Sequence, residues 1–557
     1  MNNLKSTPVK ALIALVLIVI VNIIGQSFYG RFDMTKDKRY TLSEASKNTV
    51  SEVNSPLVID VFLEGDFPSE FRRLQTETKQ LLEEFNNYND EIIFNFVNPI
   101  EDEATRDANI QSLVSRGMQP RQLNVQKNGK TSQELIFPWA LASYNNNTVI
   151  INLIKNKIGV STEELVSNSV QQLEYAFADG FNKLVSSRSK KIAILKGNGQ
   201  LDDVYMADFL TTIKDYYFIA PFTLDSVASN PKSTLKTLNN YDLILSAQPS
   251  QPFSEEEKYV LDQYTMNGGK SIWLTDGVFM DKDSLLNDTG KGVALPKDLN
   301  LNDFFFKYGV RINNTIVKDM YSAPIALAIG EGSQAQIQPI QWQYSPLAAG
   351  NPTHPITKNI NLIKFDFASP IDTLKNSLKQ TVIIQSSKLT GIDGVPKIID
   401  LAEVTKTANP QLFNKGVQNL GVLIEGEFTS VYNNRVKPLD LQNNLDKSVA
   451  TKMIVISDGD VIKNDVVKGK PQELGFDRWT GQSFGNKEVL VNAVNYLLDN
   501  SGLINIRNRE IKLAYLNPEK IEAEKGKWQS LNILLPLVLL GIFGFGFAYF
   551  RRKKYSK

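Results

Sequence analysis

Three short stretches place carboxylates directly after apolar runs that have the composition of buried strands. Asp276 lies in "LTDG", Asp458 and Asp460 lie in "SDGD", and Glu425 lies in "EGEF". Carboxylates at strand ends can line the crevice where α/β proteins bind ligands, and they could hold a divalent cation. Asp-Gly pairs also form turns and aspartates also cap helices, and no further ligand completes a metal set. We therefore expect no metal here, and Asp276, Glu425 and Asp458 are ligand-binding candidates.

A glycine-containing stretch, "IAILKGNGQ" at residues 192–200, is the other candidate for chemistry. A strand ending in a glycine loop predicts a ligand-facing sheet edge, with Asn198 and Gln200 as its polar side chains. The stretch lacks the third glycine of a dinucleotide fingerprint. A second motif, "GGKS", precedes its strand and lacks the first glycine of a phosphate-binding loop, so ATP hydrolysis is not expected.

Residue types exclude several common catalytic centres. The chain has no cysteine and one histidine, which rules out a thiol nucleophile, a thiolate metal site and a His-rich zinc site. A Ser-His-Asp triad would need His354, which lies between two prolines in "NPTHPIT" and is expected in a surface loop without a catalytic role. Lys and Arg total 61 against 60 Asp and Glu, a balance that does not indicate nucleic acid. We expect no enzymatic activity and no cofactor.

Both ends of the 557-residue chain carry apolar segments long enough to cross a bilayer. Residues 11–29 are nearly all apolar and uncharged, and residues 531–550 are followed by "RRKK". About 20 apolar residues span a membrane as a helix, and basic residues beside a span stay in the cytoplasm. A cleaved signal peptide is the alternative for the first segment, although its apolar run is longer than usual. Two spans would leave residues 1–10 and 551–557 in the cytoplasm.

Each predicted span has residues suited to contact with a partner helix. Asn22 and Gln26 are four residues apart on one side of the first span, and amides in hydrocarbon need hydrogen-bond partners. Gly544 and Ala548 form a small-xxx-small pair in the second span, which permits close backbone approach. The alternative is that these are tolerated polar or small residues near an interface.

The region between the spans divides into two α/β parts. Residues 30–186 have the element order β-α-β-α-β-β-(β)-α of a thioredoxin-like layer, and without Cys-x-x-Cys that scaffold would serve binding alone. Residues 187–516 alternate strands and helices, which predicts a parallel sheet, with a β-rich insertion at about 279–447. A charged membrane-proximal segment, 517–530, precedes the second span. The predicted fold class is α/β with a transmembrane helix at each end.

Several motifs together resemble the ABC-transporter auxiliary proteins that have a large extracytoplasmic region. "IAILKGNGQ", "YDLILSAQPSQPFSEEEKYVLDQYTMNGGKSIWLTD" and "NLGVLIEGEFTS" resemble the glutamine-amidotransferase-like domain of that family, although its cysteine is missing and relatives often have His where Asn198 stands. "RFDMTKDKRYTLS" resembles the opening of these proteins, where an Asp-x-Thr unit precedes a Tyr-x-Leu-Ser unit. The matching positions are Asp33, Thr35, Tyr40, Leu42 and Ser43.

The resemblance covers nearly the whole chain and implies a noncatalytic, membrane-anchored auxiliary subunit. It implies a two-pass protein of the bacterial inner membrane with both termini cytoplasmic and the large region in the periplasm. The implied partners are a permease subunit, a separate cytoplasmic ATPase and the lipid bilayer, with other cell-envelope proteins as further candidates. It also implies a link to gliding motility and protein secretion. From the residues alone, a membrane-anchored scaffold or sensor and a carboxylate-dependent extracytoplasmic hydrolase stay open.

Overall fold

The computed structural model describes residues 14–18, 41–65, 67–127, 130–155, 157–330, 335–406, 408–441, 443–499, 502–507 and 518–555. The chain forms two compact units, Met1–Glu510 and Ile511–Lys557. Of the predicted first span, residues 14–18 are described and are helical. Its other residues lie outside the described part of the chain, as do the following predicted positions: Asn22, Gln26, Asp33, Thr35 and Tyr40.

The first part of the larger unit is a four-stranded sheet with the order β2-β1-β5-β6, in which β1 and β2 are parallel. Strands β3 and β4 form a separate hairpin. The elements are α1 (Glu44–Ser51), β1 (Leu57–Val61), α2 (Ser69–Tyr88), β2 (Ile92–Phe96), α3 (Arg106–Ser115), β3 (Arg121–Lys127), β4 (Lys130–Ile136), β5 (Trp139–Tyr144), β6 (Asn147–Asn152) and α4 (Thr162–Val185). The thioredoxin-like assignment of this layer stays a prediction.

Helices α2 and α4 cover one face of this sheet because each has an apolar stripe. The buried positions of α2 recur every three or four residues, from Phe71 and Leu74 to Leu82 and Phe85. Phe85 meets Phe181 of α4 edge-to-face, with ring centroids 5.1 Å apart. These contacts join the two helices into one core with the sheet.

The remainder of the larger unit is built on a ten-stranded sheet. The elements of its first half are β7 (Lys191–Lys196), α5 (Ala207–Lys214), β8 (Phe218–Thr223), α6 (Pro231–Leu238), β9 (Leu243–Ala247), α7 (Glu255–Met266) and β10 (Lys270–Leu274). The next elements are β11 (Val278–Phe279), β12 (Lys291–Pro296), α8 (Asn302–Lys307), β13 (Val310–Ile312), β14 (Thr315–Asp319), β15 (Ser322–Ile329), β16 (Gln336–Gly350), β17 (Ile363–Lys364), β18 (Ile371–Thr373), β19 (Lys379–Gln385), β20 (Thr390–Gly394), β21 (Lys397–Asp400) and β22 (Asn419–Thr429).

The chain then returns to the middle of the sheet. These last elements are β23 (Lys447–Ile456), β24 (Val466–Val467), β25 (Lys470–Pro471), β26 (Phe476–Asp477), β27 (Gln482–Ser483), α9 (Asn486–Leu498) and α10 (Leu503–Ile506). Short 3-10 helices lie at Asp203–Met206, Lys282–Leu285, Leu401–Thr405, Pro410–Leu412 and Gly459–Ile462.

The strand order explains where a site would form. Nine strands run in the order β15-β16-β19-β22-β23-β10-β9-β7-β8, and the tenth, β17, pairs with β16. The pairings among β8, β7, β9, β10 and β23 are parallel. Residues on both faces of these strands are buried, with one apolar core on each side of the sheet. In chain order the parallel strands lie 2-1-3-4-5, so the topological switch point lies between β7 and β9.

The predicted β-rich insertion supplies five strands to the central sheet, including β17, which pairs with β16. Strands β15, β16, β19 and β22 extend it with antiparallel pairings, and β22 pairs with β23 along most of its length. One sheet therefore has a parallel half that ends at β23 and an antiparallel half that begins at β22. The observed fold is a mixed α/β architecture. The amidotransferase-like assignment stays a prediction.

The described residues of the smaller unit form one helix, α11 (Pro518–Tyr555). Its segment Glu524–Tyr555 has a mean hydropathy of 2.3. Among the described residues, this is the helical segment that is long and apolar enough to cross a membrane. The predicted span and the end of the membrane-proximal segment thus belong to one continuous helix. Gly544 and Ala548 are exposed on it, and three basic residues, Arg552 to Lys554, lie in its last turn.

Candidate functional site

The carboxyl ends of the parallel strands bring most of the candidate residues to one edge of the sheet. Asn198 and Gln200 follow β7, Asp276 follows β10, and Asp458 follows β23. Because β7, β9, β10 and β23 are consecutive in the parallel half of the sheet, their following loops form a continuous row. Glu425 does not belong to this row.

Glu425 lies in β22, which is antiparallel to β23 and places it beside Lys452, several residues before the carboxyl end of that strand. Tyr496 donates a 3.0 Å hydrogen bond to Glu425, and Lys452 lies 3.5 Å from its carboxylate. His354 is half-buried and packs on the Tyr496 ring, with centroids 5.0 Å apart. Glu425 therefore forms a polar cluster with Tyr496 and Lys452, away from the row of loops at the carboxyl ends of the parallel strands.

Three aspartates converge where β10 and β23 end. Carboxylate oxygens of Asp276, Asp458 and Asp460 all lie within 4.8 Å of one another. Asp458 caps the 3-10 helix that follows β23, accepting a 2.7 Å hydrogen bond from the backbone N–H of Asp460. Asp276 accepts a 2.6 Å hydrogen bond from the backbone N–H of Gly459. We call this group, together with Asp366, the aspartate cluster.

Asp366 joins the cluster from the segment between β17 and β18. Its backbone N–H donates a 2.6 Å hydrogen bond to the second oxygen of Asp458. Its own carboxylate accepts a hydrogen bond from Ser345 on β16. Sequence reasoning missed Asp366, because "KFDFAS" has no motif that relates it to a strand end 92 residues later.

Four lysines surround the aspartate cluster. Lys297 lies 2.8 Å from Asp276, and Lys463 lies 3.6 Å from Asp460. Lys282 and Lys364 lie 3.6 and 3.7 Å from Asp366. Three carboxylates at this separation could hold a divalent cation through oxygen ligands. Lys297 and Lys463, however, already supply positive charge beside Asp276 and Asp460, so the arrangement fits an internal ion-pair network better than a cation site.

Burial and mutual repulsion set the ionisation of the cluster. Burial, followed by the charges of Asp460 and Asp276, raises the pKa of Asp458 well above its ordinary value. Burial also raises the pKa of Asp460 to about 7, although Lys463 opposes this effect. Burial disfavours ionisation of Asp366 as well, but Lys282 and Lys364 hold its pKa below the ordinary value. Burial and mutual repulsion therefore favour the protonated forms of Asp458 and Asp460 over the ionised forms.

The glycine loop after β7 is closed by the loop after β9. The carbonyl of Asn198 accepts hydrogen bonds from the backbone N–H groups of Ser250 and Gln251, at 3.1 and 3.0 Å. The Asn198 side chain donates to Glu257, 3.1 Å away at the start of α7. Gly199 has φ +64°, and a Cβ there would lie 2.1 Å from the Ser250 hydroxyl oxygen. This loop therefore binds the loop after β9 through the backbone carbonyl of Asn198.

The side-chain amide of Gln200 in the same loop is unsatisfied. Both its amide nitrogen and its amide oxygen are buried and have no hydrogen-bond partner among the described residues. An unsatisfied buried polar group costs about 1–3 kcal/mol. Gln200 lies beside the switch point, since the next residue, Leu201, donates a 3.0 Å hydrogen bond to Ala247 at the end of β9.

Residues 189–493 match the family described as an ABC-type uncharacterized transport system. The chain belongs to this family. The matched residues run from β7 into α9, so the ABC-type transport family region contains the parallel strands, the glycine loop and the whole aspartate cluster.

Other comparisons extend beyond the ABC-type transport family region. Residues 36–143 match a domain of unknown function. An uncharacterized protein of Borreliella burgdorferi (strain ATCC 35210 / DSM 4680 / CIP 102532 / B31) is 22% identical over 533 residues, covering 94% of this chain and 93% of the relative. The solved mmIFT52 N-terminal domain is 11% identical, with a TM-score of 0.31, and the similarity covers 56% of this chain and 98% of that chain.

Two of the predicted family-motif positions have structural roles outside that region. The Ser43 hydroxyl caps α1 by accepting a 3.2 Å hydrogen bond from the backbone N–H of Ser46. The Ser43 backbone N–H donates a 2.6 Å hydrogen bond to Glu174 on α4, and the Leu42 side chain is buried in the same core. Leu42, through apolar packing, and Ser43, through its hydrogen bond, thus hold the start of α1 against α4.

Proposed function

We propose that this chain is a noncatalytic, membrane-anchored auxiliary subunit of an ABC transporter. The match of residues 189–493 to an ABC-type transport family carries the proposal. The helix Glu524–Tyr555 supports membrane attachment, since it is long and apolar enough to span a bilayer. The chain would act by binding partners and not by hydrolysing a substrate.

The geometry of the aspartate cluster supports a noncatalytic role. Asp458 is fully buried, and each of its carboxylate oxygens accepts a backbone N–H. Asp276 is held by Lys297 and by the Gly459 backbone. A carboxylate-dependent hydrolase needs an acid or base within hydrogen-bond reach of its substrate, and these groups are occupied by internal partners. The cluster instead ties β10, β23 and the segment around Asp366 together.

We also propose a membrane topology and a set of partners for this subunit. We place residues 11–29 and 531–550 in the inner membrane as two spans, with both termini cytoplasmic and the region between them in the periplasm. The partners are a permease subunit and a separate cytoplasmic ATPase, and Asn22, Gln26, Gly544 and Ala548 are the proposed contacts within the membrane. The motifs that resemble the gliding-motility-associated component GldG support a link to gliding and protein secretion. The layer before residue 187 would be thioredoxin-like and the larger part amidotransferase-like.

A pull-down of the tagged full-length chain in mild detergent tests this function. We expect a polytopic permease and an ATPase among the proteins identified by mass spectrometry. The matched control carries Gly544→Leu and Ala548→Leu, which prevent close helix approach and should release the permease while leaving the soluble part folded. Recovery of envelope proteins without a permease would favour the scaffold or sensor alternative and contradict the proposal.

A further inference from the structure

A cavity of about 220 Å³ lies between β16 and the 3-10 helix Leu401–Thr405. Trp342 and Tyr344 of β16 give the cavity an aromatic wall, and Glu403 and Lys406 contribute charged groups. A cavity of roughly 150 Å³ holds one benzene ring. This cavity therefore has room for a ring and a few further atoms, which limits a ligand to the size of a single amino acid.

An irregular pairing of β15 with β16 places the aromatic wall. Residues 342–345 of β16 are not paired with β15, because the register of the two strands shifts there. Extra residues of this kind bend a strand and redirect its side chains. The rings of Trp342 and Tyr344 are buried with centroids 5.1 Å apart, and the Tyr344 hydroxyl donates a 2.8 Å hydrogen bond to Asp393. A wall fixed in this way loses little conformational freedom when a ligand binds.

The indole N–H of Trp342 is unsatisfied among the described residues, although the side chain is only 2% exposed. An indole N–H can only donate a hydrogen bond, and a buried one usually has an acceptor. A ligand that brings an oxygen atom to this wall supplies the missing acceptor.

The charged residues of the cavity have opposite signs. Glu403 lies in the 3-10 helix, and Lys406 is the C-terminal cap of that helix. Neither side chain makes an ion pair with another described residue. Asp393, by contrast, is already paired with Lys318 at 3.0 Å and with Lys397. One carboxylate and one ammonium group are thus available to a ligand.

These two charges select a zwitterion. An anion would be repelled by Glu403, a cation would be repelled by Lys406, and a neutral sugar would leave both charges without a partner. We propose that the cavity binds a free amino acid with an aromatic or branched apolar side chain. Its side chain packs on Trp342, its ammonium group pairs with Glu403, and its carboxylate pairs with Lys406. The same carboxylate accepts the hydrogen bond of the Trp342 indole.

Isothermal titration calorimetry of the full-length chain in detergent tests this site, with phenylalanine as the probe. Phenylpropionate lacks the ammonium group and phenethylamine lacks the carboxylate, so each should bind about tenfold more weakly than phenylalanine. Equal or tighter binding of either analogue would overturn the choice of a zwitterion. Absence of binding by both phenylalanine and leucine up to about 10 mM would overturn the site itself.

Two variants at the charged residues assign the two ends of the ligand. Glu403→Gln should weaken the binding of phenylalanine and phenethylamine about tenfold and leave phenylpropionate unchanged. Lys406→Met should weaken phenylalanine and phenylpropionate and leave phenethylamine unchanged. Lys236→Met, at an exposed position on α6 outside the cavity, is the matched control and should change none of them.

Phenylalanine binding that both charge variants leave unchanged would place the ligand elsewhere and overturn the assignment. Such a result would leave the proposed function intact, because the pull-down of the permease tests that function separately.

Discussion

The backbone N–H of Gly459 donates a 2.6 Å hydrogen bond to Asp276, a residue 183 positions earlier in the chain. This bond joins the ends of β10 and β23 and places Gly459 against the loop after β9, where Gln248 has φ +50°. A Cβ on residue 459 would lie 2.5 Å from the Cβ of Gln248. Glycine is therefore required at this position by close approach.

Gly459→Ala should destabilise the chain by about 1–3 kcal/mol, because the new methyl group overpacks a contact with backbone and side-chain atoms of Gln248. Chemical denaturation in detergent measures the free energy of unfolding. Gly394→Ala is the control, since a Cβ there meets nothing within 4 Å. Equal stabilities for the two variants would show that the loops move apart without cost.

Lys297→Met should cost about 3–5 kcal/mol of unfolding free energy, because it leaves the carboxylate of Asp276 buried without its counter-charge. The side chains of the pair are only 6% and 13% exposed. Arg311→Met, which breaks the exposed pair with Asp372, should cost less than about 1 kcal/mol. A double variant with Asp276→Asn should recover part of the loss, and strictly additive effects would refute the coupling.

The contribution of Asp460 to the stability of the folded chain should fall as the pH rises from about 4 to about 7. The folded pKa of Asp460 is about 7, against 3.8 for the free side chain, so the folded state retains a proton that the unfolded state releases. A raised folded pKa gives stabilisation that is complete below the unfolded value and is lost as the pH rises through the folded value. The slope is at most about 1.4 kcal/mol per pH unit for each such proton.

Asp460→Asn should flatten this pH dependence, since the amide does not titrate. Thermal unfolding midpoints between pH 4 and 8 provide the measurement, with Asp288→Asn at an exposed position as the control. A variant with the slope of the unsubstituted chain would assign the titration to other groups.

Gln200→Met should increase the unfolding free energy by about 1 kcal/mol, because it replaces two unsatisfied buried polar atoms with an apolar side chain of similar length. Gln263→Met is the opposite case. The Gln263 amide donates to Leu445 at 3.0 Å and accepts from the Leu445 backbone at 2.9 Å, so its loss should cost about 1–3 kcal/mol. Destabilisation by both substitutions would show that Gln200 has a partner in solution.

Helices could be predicted where the apolar spacing or the capping residue lies within or directly beside the helix itself. The apolar spacing of α2 (Ser69–Tyr88) and the Ser161 cap at the start of α4 (Thr162–Val185) are local signals, and both segments are helices in the structure. Strand ends also located Asp276 and Asp458 correctly, since parallel strands share one carboxyl edge. The direction of β22 was not predictable from its own residues, and Glu425 consequently lies away from the other candidates.

The lysines of the cluster could not be predicted from sequence for a different reason. Lys282, Lys297 and Lys364 come from the segment between β10 and β19, where short strands give weak periodicity. Their roles depend on contacts across many residues, such as the one between Lys282 and Asp366. Pairing of this kind follows from tertiary packing and leaves no spacing that a motif search could detect.

The placement of β23 beside β10 also has a kinetic consequence during synthesis. Strand β10 is complete at Leu274, but its parallel neighbour begins only at Lys447. Synthesis adds about 5–20 residues per second, so roughly 10–35 seconds pass between the synthesis of β10 and that of β23. During this time the edge of β10 is unpaired, and apolar residues such as Ile272 are uncovered. Long-range parallel pairing is intrinsically slow and leaves an aggregation-prone edge. The nascent chain should therefore need a chaperone during this interval, whichever proteins the finished subunit binds.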